Sequence, residues 1–142
     1  QKIHLALFQD IYDWAGEIRT VDISRGNSRF ANVRFIESAA HEIFNRLARE
    51  NWLKHLDPNA LSERLAHYLS EINALHPFRE GNGRAQRIFI SQLSQAAGYQ
   101  LDYSDKKVDE YASEQDTQNE GDENEKQYWV RGFIIGFNIG KD

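Results

Sequence analysis

Apolar residues recur at helical spacing along most of this chain, and this periodicity predicts a mainly α-helical fold. Helices are predicted over residues 2–15, 36–52, 58–75 and 84–97. The third helix has the clearest start, because the Asp57 side chain can cap its N-terminus and Pro58 suits the first helical position. It is expected to end near Leu75, since Pro77 disfavours the helical conformation for His76.

The segment between the first two helices has a different pattern, with polar and apolar residues alternating at a period of two. The alternation runs from Glu17 to Ile23 and from Arg29 to Phe35, on either side of the turn-forming residues 24–28. It predicts a β-hairpin, and an ordered surface loop is the alternative interpretation. Because an isolated hairpin is marginally stable in water, this one is expected to rest on the helices or to wait for a partner.

The pattern is weaker after Leu101, where a short helix is predicted from about residue 105. The polar and mostly acidic residues 113–127 are predicted to form a solvated loop. Residues 128–140 are apolar again and are predicted to form a closing helix. Its glycines, spaced four residues apart, fall on one helical face and suit close packing in the core. A buried strand is the alternative, since each glycine weakens a helix by about 1 kcal/mol.

Length and composition limit the class of protein. With 142 residues, of which 40% are hydrophobic, the chain suits one domain spanning residues 1–142. A net charge of −5 disfavours direct binding to nucleic acid or to an anionic membrane. No apolar run reaches the ~18 residues of a membrane span, so a soluble domain is expected. Because the chain begins with Gln1 and contains no methionine, it is expected to be a piece of a longer protein.

Residues 76–87, between the third and fourth predicted helices, contain several polar groups that suit a nucleoside triphosphate. An imidazole with an unperturbed pKa of about 6.5 can accept a proton at neutral pH, which makes His76 a candidate general base. Glu80 offers carboxylate oxygens to Mg²⁺, which binds one or two protein carboxylates together with substrate phosphates. The other histidines, at positions 4, 41, 55 and 67, have no metal-binding spacing and are expected to be structural.

The remainder of this loop suits an anion. Gly81 and Gly83, on either side of Asn82, can adopt positive φ, which turns backbone N–H groups inward to form an anion-binding concavity. A helix starting at about Arg84 would point its N-terminal dipole at the same place. Arg84 and Arg87 lie three residues apart on one face of that helix, and guanidinium groups suit phosphate oxygens.

Residues 76–87 resemble the signature HPFx(D/E)GNGRxxR of the Fic family (filamentation induced by cyclic AMP) and match every specified position. Residues 12–19 also resemble the segment that precedes the hairpin in that family. The resemblance covers roughly Leu5 to Leu101. It implies a mainly α fold, a helical bundle in which a β-hairpin flap, about residues 17–35, lies over the active-site loop.

The resemblance also implies an activity. Typical family members transfer AMP from ATP to a Tyr, Thr or Ser hydroxyl of a target protein and release pyrophosphate. By this resemblance, His76 would take the proton of the target hydroxyl, and Glu80 would hold Mg²⁺ on the α- and β-phosphates. Residues 81–83 would form the anion hole, Arg84 would bind phosphates, and Arg87 would orient the γ-phosphate.

The same resemblance implies that the target protein docks on the flap by adding a strand to it. Many relatives carry an inhibitory helix with the pattern (S/T)xxxE(G/N), which this sequence lacks. Restraint is therefore expected from a separate antitoxin protein or from residues outside this chain. The expected compartment is the bacterial cytoplasm, or a host or recipient cell after translocation. Transfer of a different phosphate-containing group, removal of AMP, and a non-catalytic module that binds nucleotide and protein are the alternatives.

Overall fold

The computed structural model describes residues 1–101 and, further along the chain, the backbone of strands at 125–130, 133–138 and 140–141. Helices form most of the first part, which confirms the predicted mainly α-helical fold. They are α1 (Lys2–Phe8), α2 (Ile36–Arg49), α3 (Pro58–Leu75) and α4 (Asn82–Ala96). Short 3₁₀ turns flank α2, at Val33–Phe35 and Asn51–Leu53. No helix in these described segments is long and apolar enough to cross a membrane.

The hydrophobic core lies between α2, α3 and α4, and α3 contributes half of its buried residues. Its buried side chains recur every three or four residues, so one face of the helix packs against both neighbours. Those that belong to the core cluster are Leu61, Leu65, Tyr68, Leu69, Ile72 and Leu75. Ile43 and Leu47 of α2 pack against them, as do Ile90 and Leu93 of α4. The loop that joins α3 to α4 is therefore held at both ends by core helices.

The start of α3 is as predicted. The Asp57 carboxylate accepts hydrogen bonds from the N–H groups of Asn59 and Ala60, each at 3.0 Å. Pro58 occupies the first helical position, where a missing N–H removes no intrahelical bond. The helix also ends at Leu75, where the sequence predicts its end.

The predicted long first helix is wrong, because α1 ends at Phe8 instead of at Ala15. The chain then turns, and Ile11, which the helical pattern places inward, is 64% exposed. The turn brings Gly16 back to α1, where its N–H donates a 2.9 Å hydrogen bond to Nδ1 of His4. A continuous helix would separate these two residues by about 18 Å, so the contact excludes it.

The predicted β-hairpin is present between α1 and α2, but it is shorter than predicted. β1 (Ser24–Arg25) and β2 (Ser28–Arg29) pair antiparallel, with Ser24 opposite Arg29. Both strands lie largely within the segment predicted to be the turn. The alternating segments 17–23 and 30–35 form no regular ladder.

The base of the hairpin is held by contacts with the end of α3 and not by a longer strand ladder. The guanidinium of Arg19 donates to the backbone carbonyls of Val21 and Ala31, which removes two acceptors that strand pairing would use. The Ala31 N–H donates to the Ala74 carbonyl of α3 at 3.0 Å. As the sequence suggests, the hairpin rests on the helical body.

The predicted closing helix over 128–140 is wrong, because this part of the chain forms strands. β4 (Glu125–Val130) pairs antiparallel with β5 (Phe133–Asn138), and β3 (Tyr99–Gln100) pairs with β6 (Gly140–Lys141). Aromatic and β-branched residues are frequent in β4 and β5, and these residue types favour strands. The helix predicted from residue 105 lies outside the described residues, as does the acidic loop except for its last residues, which belong to β4.

Candidate active site

The loop between α3 and α4 begins with an uncommon backbone conformation. His76 directly follows α3 and has φ +46° and ψ +63°, in the left-handed region. Its N–H still donates to the Ile72 carbonyl at 3.0 Å and closes the last helical turn. This conformation costs a residue with a side chain about 1–2 kcal/mol. The contacts around His76 therefore have to hold it in place.

The surroundings of the imidazole favour its neutral form. Burial lowers the pKa of His76 below its ordinary value of 6.5. The Asn73 backbone carbonyl opposes this change, while the positive charges of Arg19 and Arg25 lower the pKa further. The negative charge of Glu80 acts in the opposite direction and raises the pKa of His76. His76 is therefore neutral near pH 7 and able to accept a proton.

The hairpin covers one face of the imidazole. The Phe30 ring, directly after β2, stacks on His76 with ring centroids 3.8 Å apart and planes inclined by 13°. Nδ1 of His76 is buried and has no hydrogen-bond partner among the described residues. Nε2 is consequently the nitrogen that a substrate hydroxyl can reach.

The two glycines of the loop have different conformations. Gly81 has φ +79°, and a Cβ at this position would lie 2.4 Å from Cε2 of Phe8, so a side chain fits neither the backbone nor the space. Gly83 is an ordinary helical residue near the start of α4, with Nη2 of Arg87 3.9 Å from its hypothetical Cβ. The expectation that both glycines turn N–H groups inward by positive φ is therefore wrong for Gly83.

Asn82 closes the loop from inside. Its Oδ1 accepts a hydrogen bond from the Phe78 N–H at 2.9 Å, and its Nδ2 donates to the Phe78 carbonyl at 2.7 Å. Both residues are buried. Each polar atom of this buried side chain is thus paired within the loop, so Asn82 helps to fix the backbone at Phe78.

The start of α4 has the properties of an anion site. No side chain of the described segments caps this helix end, and the first intrahelical bond runs from the Ala85 N–H to the Gly81 carbonyl at 3.2 Å. The N–H groups of residues 82–84 thus precede any intrahelical bond. Unpaired N–H groups and the helix dipole together favour a negative charge at this position.

The two candidate phosphate-binding arginines lie beside this first turn. Arg84 is exposed, with its guanidinium carbon 5.7 Å from the centroid of the Phe8 ring. Arg87 is also exposed and reaches back along the helix to Gly83. Phe8 therefore packs next to both Gly81 and Arg84. The structure brings these groups together at one end of α4.

The single carboxylate of Glu80 suits Mg²⁺ only when a bound nucleotide supplies further oxygen ligands. Glu80 is exposed, and residues 1–101 contain no cluster of three acidic, histidine or cysteine side chains that could bind a metal. Mg²⁺ commonly binds one or two carboxylates and completes its shell with phosphate oxygens and water. A single carboxylate next to a phosphate site matches this requirement.

His4 supports the loop from α1, and sequence reasoning assigned it no more than a structural role. It is fully buried and stacks on Phe78 with centroids 3.9 Å apart. Nδ1 accepts from the Gly16 N–H, and Nε2 lies 2.8 Å from the Glu80 carbonyl. A carbonyl only accepts, so Nε2 must carry the proton, and both bonds require a neutral imidazole. His4 thereby fixes the backbone at Glu80.

Arg19 is a second supporting residue, whose role the sequence did not reveal. It is 1% exposed, and its Nε–H donates to the His76 carbonyl at 2.8 Å. A further bond runs to the Leu75 carbonyl at 3.3 Å. An arginine within the alternating segment 17–23 could have been a surface charge. The available signal was its position at the end of residues 12–19, which resemble the segment that precedes the hairpin in the family.

A cavity of about 420 Å³ lies between the four helices and borders the loop at Pro77 and Phe78. Its walls are mainly apolar and include Phe44, Ile72, Phe78, Asn82 and Phe89. None of the candidate charged groups His76, Glu80, Arg84 and Arg87 lines it. A triphosphate is therefore expected at the start of α4 and not in this cavity.

The fold and the loop together define a small helical domain in which an uncapped helix end lies within one loop of a neutral imidazole. The family model described as Fic/DOC matches residues 1–94, and the chain belongs to the Fic/DOC family. The resemblance found in the loop sequence is thereby confirmed.

Relatives within this family are longer than the chain. Protein adenylyltransferase VbhT of Bartonella schoenbuchensis is 54% identical over 103 residues, which are 72% of this chain and 22% of that protein. A probable protein adenylyltransferase Fic of Escherichia coli is 50% identical over 101 residues, covering 71% of this chain and 50% of the relative. The chain thus spans at most about half the length of these two proteins.

Solved structures show the same fold. The crystal structure of BepC, a VirB-translocated effector protein of Bartonella tribocorum with bound AMPPNP, superposes with a TM-score of 0.69. Its sequence is 30% identical, and the match covers 72% of this chain and 56% of that one.

Proposed function

We propose that the protein carrying this domain is a Mg²⁺-dependent protein adenylyltransferase. It transfers AMP from ATP to a Tyr, Thr or Ser hydroxyl of a target protein and releases pyrophosphate. The observation that carries the proposal is the uncapped first turn of α4, which follows Gly81 directly and lies within one loop of His76. Relatives named protein adenylyltransferase and a neighbour with bound AMPPNP, an ATP analogue, support it.

In this proposal His76 is the general base. The hydroxyl oxygen of the target attacks the α-phosphorus of ATP, and its proton moves to Nε2 of His76. The bond between the α-phosphorus and the oxygen bridging to the β-phosphate breaks, and pyrophosphate leaves. The lowered pKa of His76 supports this role, because the imidazole is then unprotonated when the hydroxyl arrives.

The start of α4 stabilises the charge on the phosphates. The N–H groups of residues 82–84 donate to α-phosphate oxygens, where negative charge is concentrated as the hydroxyl adds. Gly81 permits the backbone turn that precedes these N–H groups, since its φ of +79° and the Phe8 ring next to it admit no side chain. Arg84 binds the phosphates and Arg87 orients the γ-phosphate, as guanidinium groups suit phosphate oxygens.

Glu80 is the residue that would hold Mg²⁺. When bound, the ion neutralises charge on the phosphates and on the leaving pyrophosphate. His4 fixes the backbone of Glu80 through its carbonyl, so the carboxylate starts from a defined position. We expect Mg²⁺ to bind together with ATP, because a single carboxylate is a weak site by itself.

The target protein docks, in this proposal, as an additional strand on the hairpin formed by β1 and β2. Inhibition comes from a separate antitoxin protein or from residues beyond this chain. The protein acts in the bacterial cytoplasm or after translocation into a host or recipient cell, which the translocated neighbour supports.

ATP labelled on either the α- or the γ-phosphate tests the proposed function. Purified protein is incubated with Mg²⁺, one labelled ATP and a lysate containing possible targets. AMP transfer places the α-label on a protein band and leaves the γ-label in pyrophosphate. Label from γ-ATP on protein would instead show phosphoryl transfer. Label from neither, with ATP binding intact, would favour a non-catalytic binding module.

A further inference from the structure

Arg19 is a buried cation that forms bonds to two separate parts of the chain. On the hairpin side its guanidinium donates to the carbonyls of Val21, at 2.7 Å, and of Ala31. On the loop side it donates to the carbonyls of His76, at 2.8 Å, and of Leu75. Each of these acceptors is a backbone carbonyl, so the contacts depend on the path of the chain and not on neighbouring side chains.

The charge of Arg19 has little compensation from carboxylates. Asp22 is its nearest acidic partner among the described residues, at 3.9 Å, and this side chain is 60% exposed. Burying a guanidinium is costly unless all its donors are paired, and an apolar residue could fill the space without that cost. The carbonyls of Leu75 and His76 lie at the C-terminal end of α3, where the helix dipole favours a cation.

Further contacts link the same two parts of the chain. The backbone N–H of Arg19 donates to the Pro77 carbonyl at 2.9 Å, and the Ala31 N–H donates to the Ala74 carbonyl at 3.0 Å. Phe30, next to Ala31, stacks on the imidazole of His76. The base of the hairpin and the residue proposed as general base therefore share one bonded unit, with Arg19 at its centre.

We infer that Arg19 is a positioning residue: it fixes the hairpin base to the backbone of His76, so that a polypeptide docked on the hairpin meets the imidazole in a fixed register. This inference rests on the proposed function for its consequence in catalysis. The mechanical link itself does not, because it concerns only the attachment of the hairpin to the loop. Arg19 touches neither ATP nor the target in this account.

The link predicts a specific split in kinetic behaviour. A residue that only stabilises the fold would affect every step in proportion to the folded fraction. If Arg19 positions the hairpin against His76, its loss lowers kcat and raises KM for the protein target, while KM for ATP stays within about threefold. A misplacement near 1 Å can reduce rates by about 100-fold, so kcat/KM for the target should fall by about 10- to 100-fold.

Two substitutions separate the charge of Arg19 from its geometry. Arg19→Lys keeps the charge and loses the planar fork, whereas Arg19→Gln loses both. Both should reduce target kcat/KM, and only Arg19→Gln should raise the pKa of His76, because the Arg19 charge lowers it. The control is Arg64→Lys, which removes a comparable fork from the ion pair with Glu50 and should leave KM, kcat and the His76 pKa unchanged.

Amide hydrogen exchange tests the link without any activity. In the wild-type protein, the N–H groups of positions 19 and 31 should exchange with one common opening free energy. The hydrogen bonds of both groups join the hairpin base to the end of α3 and the loop after it. In both Arg19 variants these two amides should exchange at least about tenfold faster, while amides in the middle of α3 keep their wild-type rates. The wild-type measurement remains informative even if a variant does not fold.

The possible results distinguish the link from the proposed function. Different opening free energies at positions 19 and 31, or wild-type exchange there in both variants, would overturn the link whether or not AMP is transferred. Equal losses in kcat/KM for ATP and for the protein target would overturn the positioning role. If the wild-type protein transfers no AMP but the exchange results hold, the proposed function fails and the structural link stands.

Discussion

At the scale of one residue, Gly81 occupies a backbone conformation and a space that only glycine fits. We expect Gly81→Ala to lower the free energy of unfolding by at least about 2 kcal/mol, because a side chain at φ +79° is strained and its Cβ would lie within 2.5 Å of the Phe8 ring. Urea denaturation at pH 7 measures this change. Gly83→Ala is the control and should stabilise α4 by up to about 1 kcal/mol, as position 83 is helical. Equal destabilisation by both substitutions would contradict this assignment.

His76 should make stability depend on pH in a defined direction. Its pKa is lowered in the folded protein, chiefly by burial, so the unfolded chain binds the proton more tightly. The contribution of His76 to the free energy of unfolding is therefore greatest above its ordinary pKa of 6.5 and is lost as pH falls through the folded-state pKa.

The measurement compares wild-type protein with His76→Gln by urea denaturation between pH 7.5 and pH 5. The wild type should lose stability relative to the variant as the pH falls. A difference that stays constant, or that changes in favour of the wild type at low pH, would show that burial does not disfavour the imidazolium.

At this scale the sequence indicates candidate residues in the loop but not the residues that support the loop. His76, Glu80 and the arginines could be selected because their residue types and their spacing can be read directly from the sequence. His4 and Arg19 could not, because each acts on backbone atoms brought close only by tertiary folding. The conformation of Gly83 was also beyond the sequence, since glycine permits both a helix and a positive φ.

At the scale of elements, the capped start of α3 is a feature that can be tested independently of the site. Asp57→Ala should lower the free energy of unfolding by about 1 kcal/mol, because the N–H groups of Asn59 and Ala60 lose their acceptor. Asp57→Asn should retain most of that stability, as asparagine also caps helices well. Thermal or urea unfolding measures both. A loss as large for asparagine as for alanine would mean that the cap hydrogen bonds contribute little.

The predicted elements were correct where a local signal and the tertiary fold agree. α3 has a cap, a proline at its start and a continuous apolar face, and its limits match the prediction. α1 is shorter than predicted because the bond between Gly16 and His4 requires a turn that apolar spacing does not encode. Over β4 and β5, apolar spacing fits a helix and a strand alike, and the strand preference of aromatic and β-branched residues prevails.

At the scale of the whole molecule, the loop depends on parts of the chain far from it in sequence. α1 holds the backbone of Glu80 through His4, and the hairpin base holds His76 through Arg19. The core helices α3 and α4 fix the ends of the loop. A loop held from three sides suits the proposed reaction, in which charge stabilisation and positioning would supply most of the rate.

The most direct test of this account compares ATP binding and AMP transfer in wild-type protein and His76→Ala. If His76 is a general base that does not hold the nucleotide, calorimetry should give the same affinity for ATP with Mg²⁺ within about threefold. Single-turnover transfer of the α-label to target protein should fall by at least about 100-fold, in the range for loss of a general base. Transfer close to the wild-type rate, or a loss of ATP affinity as large as the loss of transfer, would contradict the assignment of His76.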